Sequence, residues 1–205
     1  MVNFTRDGML RRMFAVPMFM IALATCACES SSHGTNDSGL ARLSGQAFYP
    51  PQVVATKGPV ANAPYQVVDF EKSANKQVVA TGVTDADGVY DVTIVQSKVV
   101  AVIVSGDVRV SGLISSDPNE AEKDLDIGKN FNEITDVACE AGVTSITDGS
   151  VSPDDFNDER IANLEAGSQL VNATTNINHF DPASVTAAAA LVRQLTDDGA
   201  HAPRQ

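Results

Sequence analysis

The chain has 205 residues, 43% of them apolar, enough for one or two domains with genuine cores. Aromatics are only 5% and tryptophan is absent, so any core is built mainly from Val, Ile, Leu and Ala. The formal charge of −12 repels phosphate backbones, which argues against nucleic-acid binding, and it offers no polybasic patch to anionic lipid.

The N-terminal stretch reads as an address. Residues 1–12 carry Arg6, Arg11 and Arg12, and Met13–Ala24 is apolar and uncharged. A basic start and an apolar run of this length match a secretory signal and are too short to span a bilayer. Pro17 and the lack of a polar face argue against a buried helix there. The following LATCACESSSHG resembles the lipobox of bacterial lipoprotein precursors, in which a small residue precedes a cysteine that is diacylated on sulfur before cleavage. Ala27 before Cys28 suits a tight cleavage pocket, although Thr25 replaces the usual aliphatic residue. Cys26 has Leu23 three residues back but the β-branched Thr25 at the cleavage point. Cys28 is the preferred acceptor and Cys26 the alternative. The resemblance implies a signal peptide over 1–27 and attachment to the bacterial envelope through two acyl chains, which suffice for stable anchoring where one does not. Without residues 1–27 the chain keeps 11 basic and 25 acidic residues, a balance of −14. Residues 28–39, rich in Ser, Gly, Asn and Asp, read as a flexible tether. His33 sits in it and reads as a solvated loop residue.

From 40 to 116 the pattern is that of short strands. Leu40–Phe48 alternates loosely and stops at Pro50–Pro51. Pro64–Phe70 and Gln77–Val83 are rich in β-branched and aromatic residues, with the polar Lys72–Lys76 between them. Thr84–Gly88 punctuates, and Val89–Val95 alternates with period two. Lys98–Val104 is nearly continuous Val and Ile, the mark of a strand covered on both faces, and Val108–Ile114 follows a turn. Strands about ten residues apart with turn signals between them predict a β-sandwich.

The segments LSGQAF, VANAPYQVVDF and VVATGVTDADGVYDVTI are similar to the carboxypeptidase-regulatory-like domain of the transthyretin-like β-sandwiches, over roughly residues 40–105. In that family Thr-Asp-x-x-Gly-x-Tyr/Phe is a tight turn feeding a core strand, here Thr84, Asp85, Gly88 and Tyr90. The residues support the same local picture: Asp85 bonds its own backbone, Gly88 takes positive φ, and Tyr90 packs inward. The resemblance implies a fold and little about activity, because such domains serve as appended modules. The histidine set and C-terminal tetrapeptide of the purine-breakdown enzymes related to transthyretin are missing, so that activity is not carried over. Asp85-x-Asp87-Gly88 also invites a calcium reading. A twelve-residue loop starting at Asp85 would end on Gln96 rather than a bidentate acid, and Val89 holds the fifth position, so a hairpin turn is the stronger expectation.

Residues 117–130 open with the acidic DPNEAEKDLD and read as a solvated connector. The period then changes. Within Glu133–Ile146, Ile134, Val137, Ala138 and Ala141 form one helical stripe, and Cys139, Val143 and Ile146 a second, which predicts a central buried helix docked on the sandwich or set among the other helices. Ser152 as cap, Pro153 at N1 and Asp155 mark the next start, with Phe156, Leu164, Leu170 and Val171 as apolar positions to about Thr174. Asp181–Pro182 starts a third helix whose stripe is Val185, Ala188, Ala189, Val192 and Leu195, with Gly199 placed to stop it. These pieces resemble the helical tails that follow such a sandwich in bacterial surface lipoproteins. The expected architecture is α+β by segregation: a transthyretin-like antiparallel sandwich over 40–116, a three-helix segment over 131–198, and a tail over 199–205.

No catalytic set stands out. Cys139 is the one cysteine outside the export region, on an apolar stripe that disfavours thiolate. His179 or His201 would have to serve as its base. The three histidines do not supply a zinc ligand set, and there is no phosphate loop or Gly-x-Ser-x-Gly elbow. Asp154, Asp155, Asp158 and Glu159 fit a helix's first turn, where the macrodipole favours negative charge. The expectation is therefore a non-enzymatic, lipid-anchored envelope protein, without cofactor or metal, that acts as a binding, adhesion or assembly module, with an envelope protein or glycan as its partner. The competing readings are a small envelope enzyme using Cys139 and His179, and a calcium-dependent binding module.

Overall fold

Two periodicities divide the chain, and the structure follows them: among the described residues, seven strands lie between 40 and 128, then three α-helices between 133 and 200. The computed structural model describes residues 39–51, 58–70, 77–116 and 125–200, without the side chains of the last four. These belong to one compact unit, Thr35–Gln205. The signal and lipobox with Cys26 and Cys28, the tether as far as residue 38, most of the acidic stretch and the final five residues lie outside the described residues.

The strands are β1 (Leu40–Gln46), β2 (Pro64–Asp69), β3 (Gln77–Val83), β4 (Val89–Val95), β5 (Val100–Ser105), β6 (Arg109–Ile114) and β7 (Leu125–Gly128). They form a three-stranded sheet ordered β4-β1-β7 and a four-stranded sheet ordered β3-β2-β5-β6. Every pairing is antiparallel except β1 with β7, which is parallel. The expectation of a connector over 117–130 is thus corrected at its end. Leu125 and Ile127 pack toward the core between the sheets while Asp126 points out to Arg42. The main chain stays beside β1 beyond the strand, through Lys129 N–H to Ser44 O at 2.8 Å and Phe131 N–H to Gln46 O at 2.9 Å.

The side chains resolve into two cores. Val67, Val100, Val102, Val104, Val110 and Ile114 of the four-stranded sheet meet Ala41, Leu43, Tyr90 and Ile94 of the other sheet. The opposite face of the four-stranded sheet, with Val68, Phe70, Ala101 and Leu113, packs against the helices. That sheet is therefore the middle layer of three, which explains why β5 lacks polar alternation. Fully burying one valine contributes about 1.5–3 kcal/mol, so β5 with Val100, Val102 and Val104 is a main anchor of the fold.

Helix α1 (Glu133–Thr147) begins with a reciprocal cap. The Asn132 side chain accepts from the N–H groups of Ile134 and Thr135, and the Thr135 hydroxyl accepts from Asn132 N–H. It lies on β6, with α2 (Asp158–Thr174) and α3 (Pro182–Ala200) packed on its other sides, so its two apolar stripes face different neighbours. The start expected at Ser152 is a single 3-10 turn, Pro153–Asp155. The longer helix begins later, capped by Asn157. Phe156 falls between them and is buried, but Leu170 is exposed. Gly199 does not stop α3, which runs to Ala200. One glycine costs about 1 kcal/mol in a helix, too little to end one by itself. Leu195, placed on the buried stripe by spacing, is exposed and lines an open groove with Leu170.

Candidate functional site

The turn before β4 is assembled from its own polar groups. Asp85 Oδ1 accepts from the N–H of Asp87 and of Val89, each at 2.8 Å. The Thr84 hydroxyl is buried, donating to Val60 O at 2.6 Å and accepting from Ala63 N–H at 3.0 Å. Gly88 has φ 73°, and a Cβ there would sit 2.7 Å from the Pro59 Cβ. Tyr90 is fully buried; it stacks on Phe131 with centroids 4.9 Å apart and donates to Lys129 O at 2.6 Å. Burial pushes its phenol well above the usual range. Thr84, Asp85, Gly88 and Tyr90 thus tie the strand entry to three other segments. The Asp85 oxygen that a cation would use already holds two backbone donors.

A polar cluster lies between β6 and α1, and it includes Cys139. The Asp136 side chain accepts from the Ser111 hydroxyl at 2.6 Å, and Arg109 Nε is 3.7 Å away. The same Arg109 donates from Nη2 to Glu140 at 2.8 Å. Asp136 is only 3% exposed, and desolvation raises its carboxyl to about 6 against the pull of Arg109 and Ser111. The neighbouring thiol of Cys139 is buried, and desolvation raises it to about 12, with a Ser111 hydrogen bond and Arg109 opposing. Arg109, Ser111, Cys139 and Glu140 border a cleft of about 190 Å³ whose other walls are Val68, Phe70, Ile103, Val143, Thr144 and Thr147. Every charged group there has a partner of opposite charge or a hydroxyl. As it stands, the arrangement secures α1 to the sheet and holds a protonated thiol at neutral pH.

His179 does not join that cluster. It sits in the α2–α3 loop, 5% exposed, with both ring nitrogens lacking a hydrogen-bond partner among the described residues. Burial lowers its basicity, and Glu133 opposes the shift. The groups acting on Cys139 are Ser111, Asp136, Arg109 and Glu140 instead. Asp154, Asp155, Asp158 and Glu159 flank the 3-10 turn and open α2, and Asp154 pairs with Lys98 at 3.0 Å. Among the described residues, no three His, Cys, Asp or Glu side chains come together as metal ligands. None of the described helices is long and apolar enough to cross a membrane.

Sequence reasoning missed two features. The Asp136 cluster had a faint signal, an aspartate between apolar Ile134 and Val137 on a helix otherwise read as buried. The other is the outer edge of β3, which pairs with no strand among the described residues. Val78, Val79 and Val83 on it are 49%, 41% and 64% exposed. A bulge between Val67 and Val68 displaces Val79, so Val78 and Thr81 share the face of Val68 and Gln66. The helices leave that face open, because α1 lies over β6 at the far side of the sheet.

No protein-family model matches the chain, and no curated protein matches it in sequence. Solved structures with partial likeness include a 9R-lipoxygenase from Cyanothece PCC8801, 12% identical with a TM-score of 0.31, covering 74% of this chain and 29% of the enzyme. The plantain pollen allergen Pla l 1 is 16% identical with a TM-score of 0.31, covering 46% of this chain and 94% of the allergen. The shaft pilin SpaA from Lactobacillus rhamnosus GG is 12% identical with a TM-score of 0.29, covering 46% of this chain and 48% of the pilin. The chain spans less than a third of the lipoxygenase and about half of the pilin, and likeness this distant assigns no family.

Proposed function

We propose that this protein is a non-enzymatic, lipid-anchored module of the bacterial envelope that assembles with a partner by strand addition to β3. The attachment reading comes from the signal-like residues 1–27 and the lipobox-like junction at Cys28, with Cys26 as the alternative acceptor. The similarity of residues 40–105 to carboxypeptidase-regulatory-like domains favours a display module over a catalyst. The observation that carries the assembly reading is the β3 edge. Proteins that stay monomeric blunt such edges with charge, proline or a covering segment. Gln77–Val83 has no charge and no proline, and exposes three valines. An incoming strand would satisfy the outward backbone groups and cover those valines.

Two measurements test this. Replacing both Cys26 and Cys28 by serine should release the protein from the membrane fraction or block its processing; a processed double variant still sedimenting with membranes rejects the anchor. A photo-crosslinking residue at Thr81 should yield a covalent adduct in intact cells, and one at Asp126, on the outer face of the other sheet, should not. Absence of any adduct at Thr81 rejects assembly through β3.

A further inference from the structure

The first strand after the lipobox-like segment begins with an apolar residue turned outward. Leu40 opens β1 and is 46% exposed, and Val95, its direct partner at the end of β4, is 57% exposed. Alternation puts both on the outer face of the three-stranded sheet, because Ala41, Leu43 and Ile94 point into the core. Gly39 is held beside them, its carbonyl accepting from Gln96 N–H at 2.9 Å. Eleven links join Cys28 to Gly39, and a chain of that length reaches at most about 40 Å.

We infer that this end of the sandwich rests on the lipid surface, with Leu40 and Val95 in contact with the acyl boundary. The inference rests on the reading of Cys28, or Cys26, as the lipid-bearing residue. A free protein would not hold a bilayer by two aliphatic side chains. An anchored one has already given up its translational freedom, so the second contact is intramolecular and a small apolar patch suffices. The neighbours do not oppose it. Thr93, next along β4 on the same face, is uncharged, and the Arg42 guanidinium opposite it is held by Asp91 at 2.6 Å. β7 lies across β1 from β4, so the acidic residues 117–124 rejoin the sheet at Leu125, on the side away from Val95. The contact is apolar, so salt does not screen it. It also sets an orientation. β4 runs from the Thr84–Gly88 turn to Val95, about 20 Å of strand, and carries that turn away from the surface.

The chain has no tryptophan, so one introduced by substitution reports its surroundings without background. The lipidated protein carrying Leu40→Trp is purified from membranes and reconstituted into phosphatidylcholine vesicles with brominated acyl chains. Its emission should shift to the blue and be quenched several-fold more than that of Val89→Trp, whose site lies on the same face at the other end of β4 and is 36% exposed. Val95→Trp should behave as Leu40→Trp does, and unchanged urea midpoints show that these surface substitutions leave the fold intact. Adding Val95→Asp to Leu40→Trp should remove most of the quenching, whereas high salt should leave it unchanged; its loss in salt overturns the apolar contact. Equal quenching at positions 40 and 89 overturns the end-on contact. A blue shift without quenching by bromine means that a second copy, not lipid, covers the residue, and overturns the inference as well. If the protein sediments with the vesicles while Leu40→Trp and Val95→Trp both emit as in water, the contact is wrong and the anchor stands. If it does not sediment with them, both fall.

Discussion

The two faces of the four-stranded sheet solve the same packing problem with different materials. Between the sheets the core is aliphatic around three rings: Tyr90 stacked on Phe131, with Tyr65 edge-on at 6.2 Å. Its polar atoms are phenol hydroxyls that reach backbone carbonyls, Tyr90 to Lys129 and Tyr65 to Asp91. The helical side instead buries Asp136 against Ser111 of the sheet, Ser168 against Ile134 O of α1, and His179 in the α2–α3 loop. The first core titrates nowhere near physiological pH. The second contains a carboxylate and an imidazole whose burial disfavours their charged forms. The shifted groups thus lie on the helix side, where Asp136 and His179 make stability depend on pH.

The largest effect should come from breaking the first core. Tyr90→Ala removes a fully buried ring and leaves the Lys129 carbonyl without its donor, and should cost about 3–5 kcal/mol in urea unfolding. A loss below about 1 kcal/mol would show that the stack with Phe131 is dispensable. Gly112 tests the same core by overfilling. A Cβ there would collide with the Phe131 ring, so Gly112→Ala should cost about 1–3 kcal/mol with an unchanged m-value.

The helix interface should reveal itself through pH. Asp136 in the folded protein titrates at about 6, above its ordinary 3.8, so the folded state holds the proton more tightly. Protonation therefore stabilises. The contribution is full below about pH 4 and is lost as pH rises to about 6, on the order of 3 kcal/mol for a shift of this size. Asp136→Asn should abolish that decline, and equal pH slopes in variant and wild type would refute the assignment. His179 acts with the opposite sign. Its folded basicity is lowered, so stability is lost as pH falls below the ordinary 6.5. His179→Leu should remove that acid-side loss and leave stability at pH 8 unchanged or raised, since two unpartnered buried nitrogens disappear. A fall of more than about 1 kcal/mol at pH 8 would mean that the ring has a polar partner after all. The smallest effect belongs to the solvent face. Asp91→Asn, which weakens the pair with Arg42 at 2.6 Å, should leave the urea midpoint within error because both side chains are half exposed.

Much of this fold was legible because it is written locally. Period-two alternation at Val89–Val95, the double burial of Val100–Val104, the Asp85–Gly88 turn and the stripe of Val185, Ala188, Ala189 and Val192 each depend on residues a few positions apart. The capping signal at Ser152 was also local, but it marked only the 3-10 turn. Asn157, which caps the longer helix, carries no flanking pattern as strong. What tertiary structure alone decided lies in contacts between distant segments. Leu125, Ile127 and Phe131 alternate correctly for a strand, yet Asp124 and Asp126 made the stretch look solvated. Its partner, β1, lies more than eighty residues earlier, and parallel pairing leaves no turn signal to announce it. Asp136 becomes a buried carboxyl only because α1 settles on Ser111 and Arg109 of β6. Val78, Val79 and Val83 read as core by composition, and they are exposed because β3 falls at the end of its sheet, beyond the reach of the helices. Hydrophobic pattern determines which residues seek cover; the order of strands and the placement of α1 determine which of them find it.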